Sequence, residues 1–219
     1  MTLRPSLLAI VLAVGAVISA LLIAGGCAAV GFVAKAVADN PDIPPAYELS
    51  DHSTVVFVDD PTHLLPNLTV GSTIAQRITS DLRTNKAVAR LIEPTTIDDL
   101  RAADAGFAQM PVDVVGRRVG ADQVIYVLVD SFTLGDEHGV YRPLGSARVK
   151  VIDVAGRRRI FPGSDQGHTV TRQLNYKHES VDARGQLSVL TRSVAEQLGR
   201  DIGFLFYTHK RPDSDVAMK

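Results

Sequence analysis

Gln123-Val-Ile-Tyr-Val-Leu-Val129 is the stretch whose reading decides the fold. Its apolar residues run continuously instead of alternating with polar ones, so the strand it predicts is covered on both faces and central in its sheet. On its amino side, Pro111 opens a short helix in which Val112, Val115 and Val119 share a face, and Gly120 ends the segment. On its carboxyl side, the residues from Gly145 to Val154 alternate well enough to pair antiparallel across the 135–144 loop, and Thr169 to Tyr176 reads as a further strand.

Further out, Thr54-Val-Val-Phe-Val58 is a β-branched apolar run that stops at Asp59-Asp60-Pro61, a first strand. Ile74, Ile78 and Leu82 then recur every four residues, with Gln76, Arg77, Asp81 and Arg83 between them and Ser72 and Thr73 as caps, which predicts an amphipathic helix. Ala87 to Ile92 reads as a second strand closed by Pro94. Ile97 and Leu100 begin a short helix with Asp98 and Asp99 in its first turn, where acids suit the helix dipole. Leu187, Leu190, Val194, Leu198, Ile202 and Leu205 mark one stripe of a long C-terminal helix. The expected class is α+β: a single mixed β-sheet with flanking helices in the order β-α-β-α-α-β-β-β-α, behind an N-terminal signal or anchor helix. The globular domain is expected over residues 51–208 and a disordered tail over 209–219.

The chain has 219 residues, enough for one domain with a short appendage. Its formal charge of −1 gives no overall field to draw nucleic acid. The apolar content is concentrated at one end. Arg4 is followed by an uncharged run from Leu7 to Ile23, then by Ala24-Gly25-Gly26-Cys27, which holds the only cysteine of the chain. A short apolar run behind a basic residue and ahead of small side chains is a signal-peptide pattern. The four residues resemble the bacterial lipobox, whose cysteine is diacylated and becomes the new N-terminus; Ala24 stands where that motif usually has leucine. On this reading residues 1–26 are removed and Cys27 is the lipid attachment. The competing reading is an uncleaved anchor, because the sequence stays apolar to Lys35 and residues 7–34 are long enough to span a bilayer. Both place the domain outside the cytoplasm. Residues 27–50 read as a tether, with three prolines between Ala38 and Ser50.

A strand ending in Val58-Asp59-Asp60, a helix, a strand ending in Glu93-Pro94, a second helical stretch, and Gly120-Ala121-Asp122 before the central strand resemble an envelope domain over residues 52–160. It is the domain shared by the TolB N-terminal region, the CsgG curli-secretion lipoproteins and related penicillin-binding-protein activators. The stretch Pro45-Ala-Tyr-Glu48 after the tether is similar to one in uncharacterised lipoproteins of planctomycete-type bacteria. The first resemblance implies a domain that binds or assembles envelope components and is not itself catalytic.

The residues offer little convergent chemistry. Asp59, Asp60 and His63 follow the first strand, where two acids and a histidine can hold a divalent cation, although acids also form turns there. The loop from Pro61 to Ser72 has one glycine, Gly71, and no lysine, which excludes a phosphate loop. Asp136, Glu137 and His138 lie in a glycine-bounded turn. His168, His178 and His209 are isolated, and one cysteine cannot build a thiolate zinc site. Arg157-Arg158-Arg159 is the candidate partner-binding surface, for lipid phosphate, cell-wall carboxylates or an acidic protein. These readings predict a non-enzymatic envelope lipoprotein that needs no cofactor and meets membrane lipid through its N-terminus. Its domain meets another envelope protein or a cell-wall component and no nucleic acid. The alternatives are a metal-dependent hydrolase using Asp59, Asp60 and His63, and a single-pass structural oligomer with an interface near Phe204, Leu205 and Phe206.

Overall fold

The structure, a computed structural model, describes residues 41–137, 140–164, 166–174 and 183–211. Residues 44–208 contain the described core of an α+β unit with a mixed five-stranded sheet flanked by four helices, as expected. Strand β2 (Thr54–Asp59) pairs parallel with β3 (Gln123–Thr133), and β3 pairs antiparallel with β6 (Leu144–Asp153). The long β6 is shared along its other edge, its carboxyl half by β7 (Arg158–Phe161) and its amino half by β8 (His168–Gln173). A two-residue ladder, β4 (Asp136–Glu137) against β5 (Val140–Tyr141), extends the turn between β3 and β6. A second small unit is described by itself: β1 (Asp42–Ile43) pairs antiparallel with β9 (His209–Lys210). Those four residues fall in the stretches expected as tether and tail.

One sheet face carries helices α1 (Leu68–Thr84) and α4 (Ala183–Gly203). Ile74, Ile78 and Leu82 are fully buried on α1, and Leu198 and Ile202 on α4, against Ile125, Val127, Val149 and Val151. Each such side chain contributes roughly 1.5–3 kcal/mol by leaving water. The two helices approach closely at Gly199, where an added Cβ would lie 2.9 Å from Arg77 Cβ. The other face carries α2 (Thr95–Ala103), a 3-10 turn (Phe107–Gln109) and α3 (Val112–Arg118). They bury Ile97, Phe107 and Val115 against Val55, Phe57 and Val124. The 123–129 run is therefore covered on both faces only toward its amino end; Tyr126 and Leu128 are half-buried.

Several local expectations change. Helix α1 begins earlier than Ser72: Asn67 Oδ1 accepts the Val70 N–H at 3.2 Å and caps it. Residues 87–92 are not a strand but a single bridge. Arg90 C=O and Ile92 N–H flank Thr54, and the chain then turns at Glu93-Pro94 into α2. Residues 44–50, expected as tether, include Tyr47 and Leu49, which pack on the core; Tyr47 N–H bonds Leu205 C=O, and its ring stands 5.1 Å from Phe161. The last predicted strand, Thr169 to Tyr176, starts one residue earlier and ends at Gln173, and Tyr176 lies outside the described residues. Phe206, offered as an oligomer contact, is buried in this chain's own core, with its ring 6.4 Å from Phe161.

Candidate functional site

An open groove of ≈ 780 Å³ lies at the carboxyl end of β2, between the loop leading into α1 and the loop leaving α2. The parallel pairing of β2 with β3 brings both strand ends to this side, the usual place for a ligand crevice in a parallel sheet. Val58, Ile97 and Phe107 form its apolar floor, and Pro61, Leu65 and Leu68 one wall. Phe107 is held edge-on to Phe57 at 5.8 Å, with the Arg101 guanidinium 4.9 Å above its ring. Asp98 joins the two sides: its carboxylate accepts from Ser72 Oγ at 3.1 Å and from Arg101 at 2.9 Å. Asp104 accepts the Gly106 N–H at 2.8 Å and has Arg118 at 3.7 Å.

Asp59, Asp60 and His63, the predicted cation ligands, all line this groove, and the carboxylates of Asp59 and Asp60 both accept hydrogen bonds there. Asp60 accepts the Leu64 and Leu65 N–H groups, each at 2.8 Å, one on each carboxylate oxygen. This acid shapes the loop, as Asp commonly does after a strand. His63 completes the same turn in the left-handed region, at φ 54°, with its N–H on Asp60 C=O at 3.2 Å. Asp59 accepts from the Tyr126 hydroxyl at 2.7 Å. Burial, and then that hydrogen bond, push the Tyr126 hydroxyl well above the ordinary tyrosine range, so it remains a donor at neutral pH. Among the described residues no group of three or more His, Cys, Asp or Glu side chains is gathered as a metal site.

The three arginines do not form one patch. Arg157 occupies the turn before β7, at φ 50°, with Asp113 at 3.7 Å. Arg158 and Arg159 are the first residues of β7, so their side chains leave opposite faces of the sheet; Arg158 has Asp153 at 3.7 Å. Acids from α3 and β6 thus stand against two of these cations. Asp136 and Glu137 belong to the small ladder, away from the groove lining, and His168 stacks at 5.7 Å on Phe161. Cys27, Arg4, the apolar run 7–34, His138 and His178 lie outside the described residues.

Leu68, Phe107, Asp98, Arg101 and Asp104 are the groove residues that the sequence reading passed over. The available signal was Leu64-Leu-Pro-Asn-Leu68, three leucines in a loop that needs none of them for a hydrophobic period.

No protein-family model matches the chain, and no curated protein matches it. Solved structures with a similar arrangement include a lipoprotein from Neisseria meningitidis, 13% identical with a TM-score of 0.45, covering 68% of this chain and 98% of that one. A PelC variant dodecamer from Paraburkholderia phytofirmans is 16% identical with a TM-score of 0.42, covering 76% of this chain and 98% of that one. A minor lipoprotein from Acinetobacter baumannii is 14% identical with a TM-score of 0.35, covering 69% and 89%. These similarities are too distant to bear on what this chain does.

Proposed function

We propose that the chain is a membrane-anchored lipoprotein of the bacterial cell envelope. Its α+β domain serves as a binding or assembly module and not as a catalyst. The observation that carries the binding role is the groove at the end of β2, open to solvent and walled by leucines, with Asp60 and Asp59 tied into its frame. Asp60 receives an N–H on each carboxylate oxygen and Asp59 an O–H on one, and among the described residues no group of three or more His, Cys, Asp or Glu side chains is gathered to hold a metal ion. The anchoring role rests on the lipobox-like Ala24-Gly25-Gly26-Cys27 and the apolar run before it. The TolB-like and CsgG-like resemblance points the same way. Among the described residues no helix is long and apolar enough to cross a membrane; the run 7–34 is outside them.

Two measurements test the two halves. Intact mass of the membrane-extracted protein is expected to show loss of residues 1–26 and added acyl mass, both abolished by Cys27→Ala. An unprocessed mass in both proteins would instead assign residues 7–34 to an uncleaved anchor. A photo-crosslinking amino acid in place of Leu68 is expected to capture an envelope component in cells, whereas the same group at Val189, on α4, is not. Failure of position 68 to crosslink any component would remove the groove as the binding surface.

A further inference from the structure

We infer that the groove takes an extended protein segment that sets a Lys or Arg side chain beside an apolar one. This deepens the binding-module reading and rests on it. Three observations define the occupant. Leu68, which lines the groove, is 78% exposed, and Leu64, on the same loop but outside the lining, is 37% exposed; they are two of the three large exposed hydrophobics among the described residues. Apolar side chains held out beside a concave surface are covered when a partner supplies an apolar face.

Charge sets the second requirement. The lining holds the carboxylates of Asp59, Asp60, Asp98 and Asp104 against one guanidinium, Arg101. Arg118 reaches Asp104 from outside, so the four carboxylates face two guanidinium groups. An acidic segment or a phosphate backbone would meet like charge here, and a basic side chain would meet opposite charge.

The third observation concerns the main chain. Thr54 directs its N–H to Arg90 C=O and its C=O to Ile92 N–H, away from β3. Alternation along the strand turns the N–H and C=O of Val56 and Val58 the same way, and no described strand pairs with β2 on that edge. Val58 lines the groove at only 9% exposure, so on this inference an extended segment reaches the strand edge there, at the point where the sheet ends.

The test uses the full chain in detergent micelles and fluorescence anisotropy of a labelled peptide, Gly-Lys-Val-Lys-Leu-Lys-Gly. One counterpart has Glu for every Lys, and a second has Ser for Val and Leu. The basic apolar peptide is expected to bind at least about tenfold more tightly than either counterpart, and to weaken about tenfold in Leu68→Ser. Because Leu68 is mostly exposed, that variant keeps the fold, which far-UV circular dichroism verifies. Equal affinity for the three peptides, no binding of any, or indifference to Leu68→Ser overturns the inference. If position 68 crosslinks an envelope component while the basic peptide fails, the chemistry assigned here falls and the binding module stands. If position 68 crosslinks nothing, the underlying reading falls as well.

Discussion

At the amino end of β2, Gln123 is buried with every side-chain hydrogen-bonding group in use. Its Nε2 donates to Ser50 C=O at 2.8 Å and to Thr54 Oγ1 at 2.7 Å, and its Oε1 accepts from Ser50 Oγ at 3.0 Å. Beside it, Asp122 accepts from Ser53 N–H and hydroxyl at 3.1 and 2.7 Å, and the 90–92 segment closes the strand edge. At the carboxyl end of the same strand, Asp60 is spent on shaping a loop, and Leu64 and Leu68 face solvent. The difference teaches where this fold is free to carry function. One end fixes the register of β2 against β3 through buried, mutually satisfied polar groups, which leaves the other end able to remain open without loss of the fold.

The largest effect is expected from breaking the closed end. Gln123→Ala leaves the buried Thr54 hydroxyl and the Ser50 carbonyl without their donor and opens a void, a loss of about 3 kcal/mol. The chain has no tryptophan, so urea unfolding is followed by far-UV circular dichroism. A loss under about 1 kcal/mol would mean that this network does not anchor the strand. At the open end, Asp60→Ala removes the acceptor of two amide donors that are exposed or partly so, and the expected loss is smaller, about 1 kcal/mol. Its signature is local: the Leu64 and Leu65 amides exchange at least about tenfold faster, while Ile125 in the central strand changes only with global stability. Unchanged protection at Leu64 and Leu65 would contradict the loop-building role of Asp60.

The same contrast explains what was legible in the sequence. Helix α1, the short helices and strands β2, β3 and β6 each carry a period or a continuous apolar run, and each is present, with the start of α1 moved from Ser72 back to Leu68. Residues 87–92 carry strand-like composition but only one bridge, because pairing depends on the partner's edge and on Pro94, not on propensity. Asp59, Asp60 and His63 were found as a cluster, yet their hydrogen-bond partners are backbone amides of the next turn and a tyrosine 67 positions away. Sequence spacing cannot reveal that an acid is already used. The opposite wall, from Asp98 to Asp104, is joined to the α1 side by the Ser72–Asp98 hydrogen bond, a contact across 26 positions that spacing does not show.

The smallest effect sharpens the comparison through pH. The Ser53 hydroxyl, then the Ser53 N–H, hold the Asp122 carboxyl below the ordinary aspartate range, with a lesser contribution from Arg90. A carboxyl whose folded pKa is depressed adds stability that is complete above its unfolded value, about 4, and is lost as pH falls through the folded value. Asp122 is solvent-exposed, so screening keeps the contribution small. Asp122→Asn keeps one acceptor oxygen and removes the titration. Its melting temperature at pH 7 is therefore expected to lie only about 1 °C below that of the native chain, with the gap closing as pH is lowered below about 4. A gap that is constant from pH 7 to pH 3 would show that Asp122 acts at the closed end through hydrogen-bond geometry alone and not through its charge.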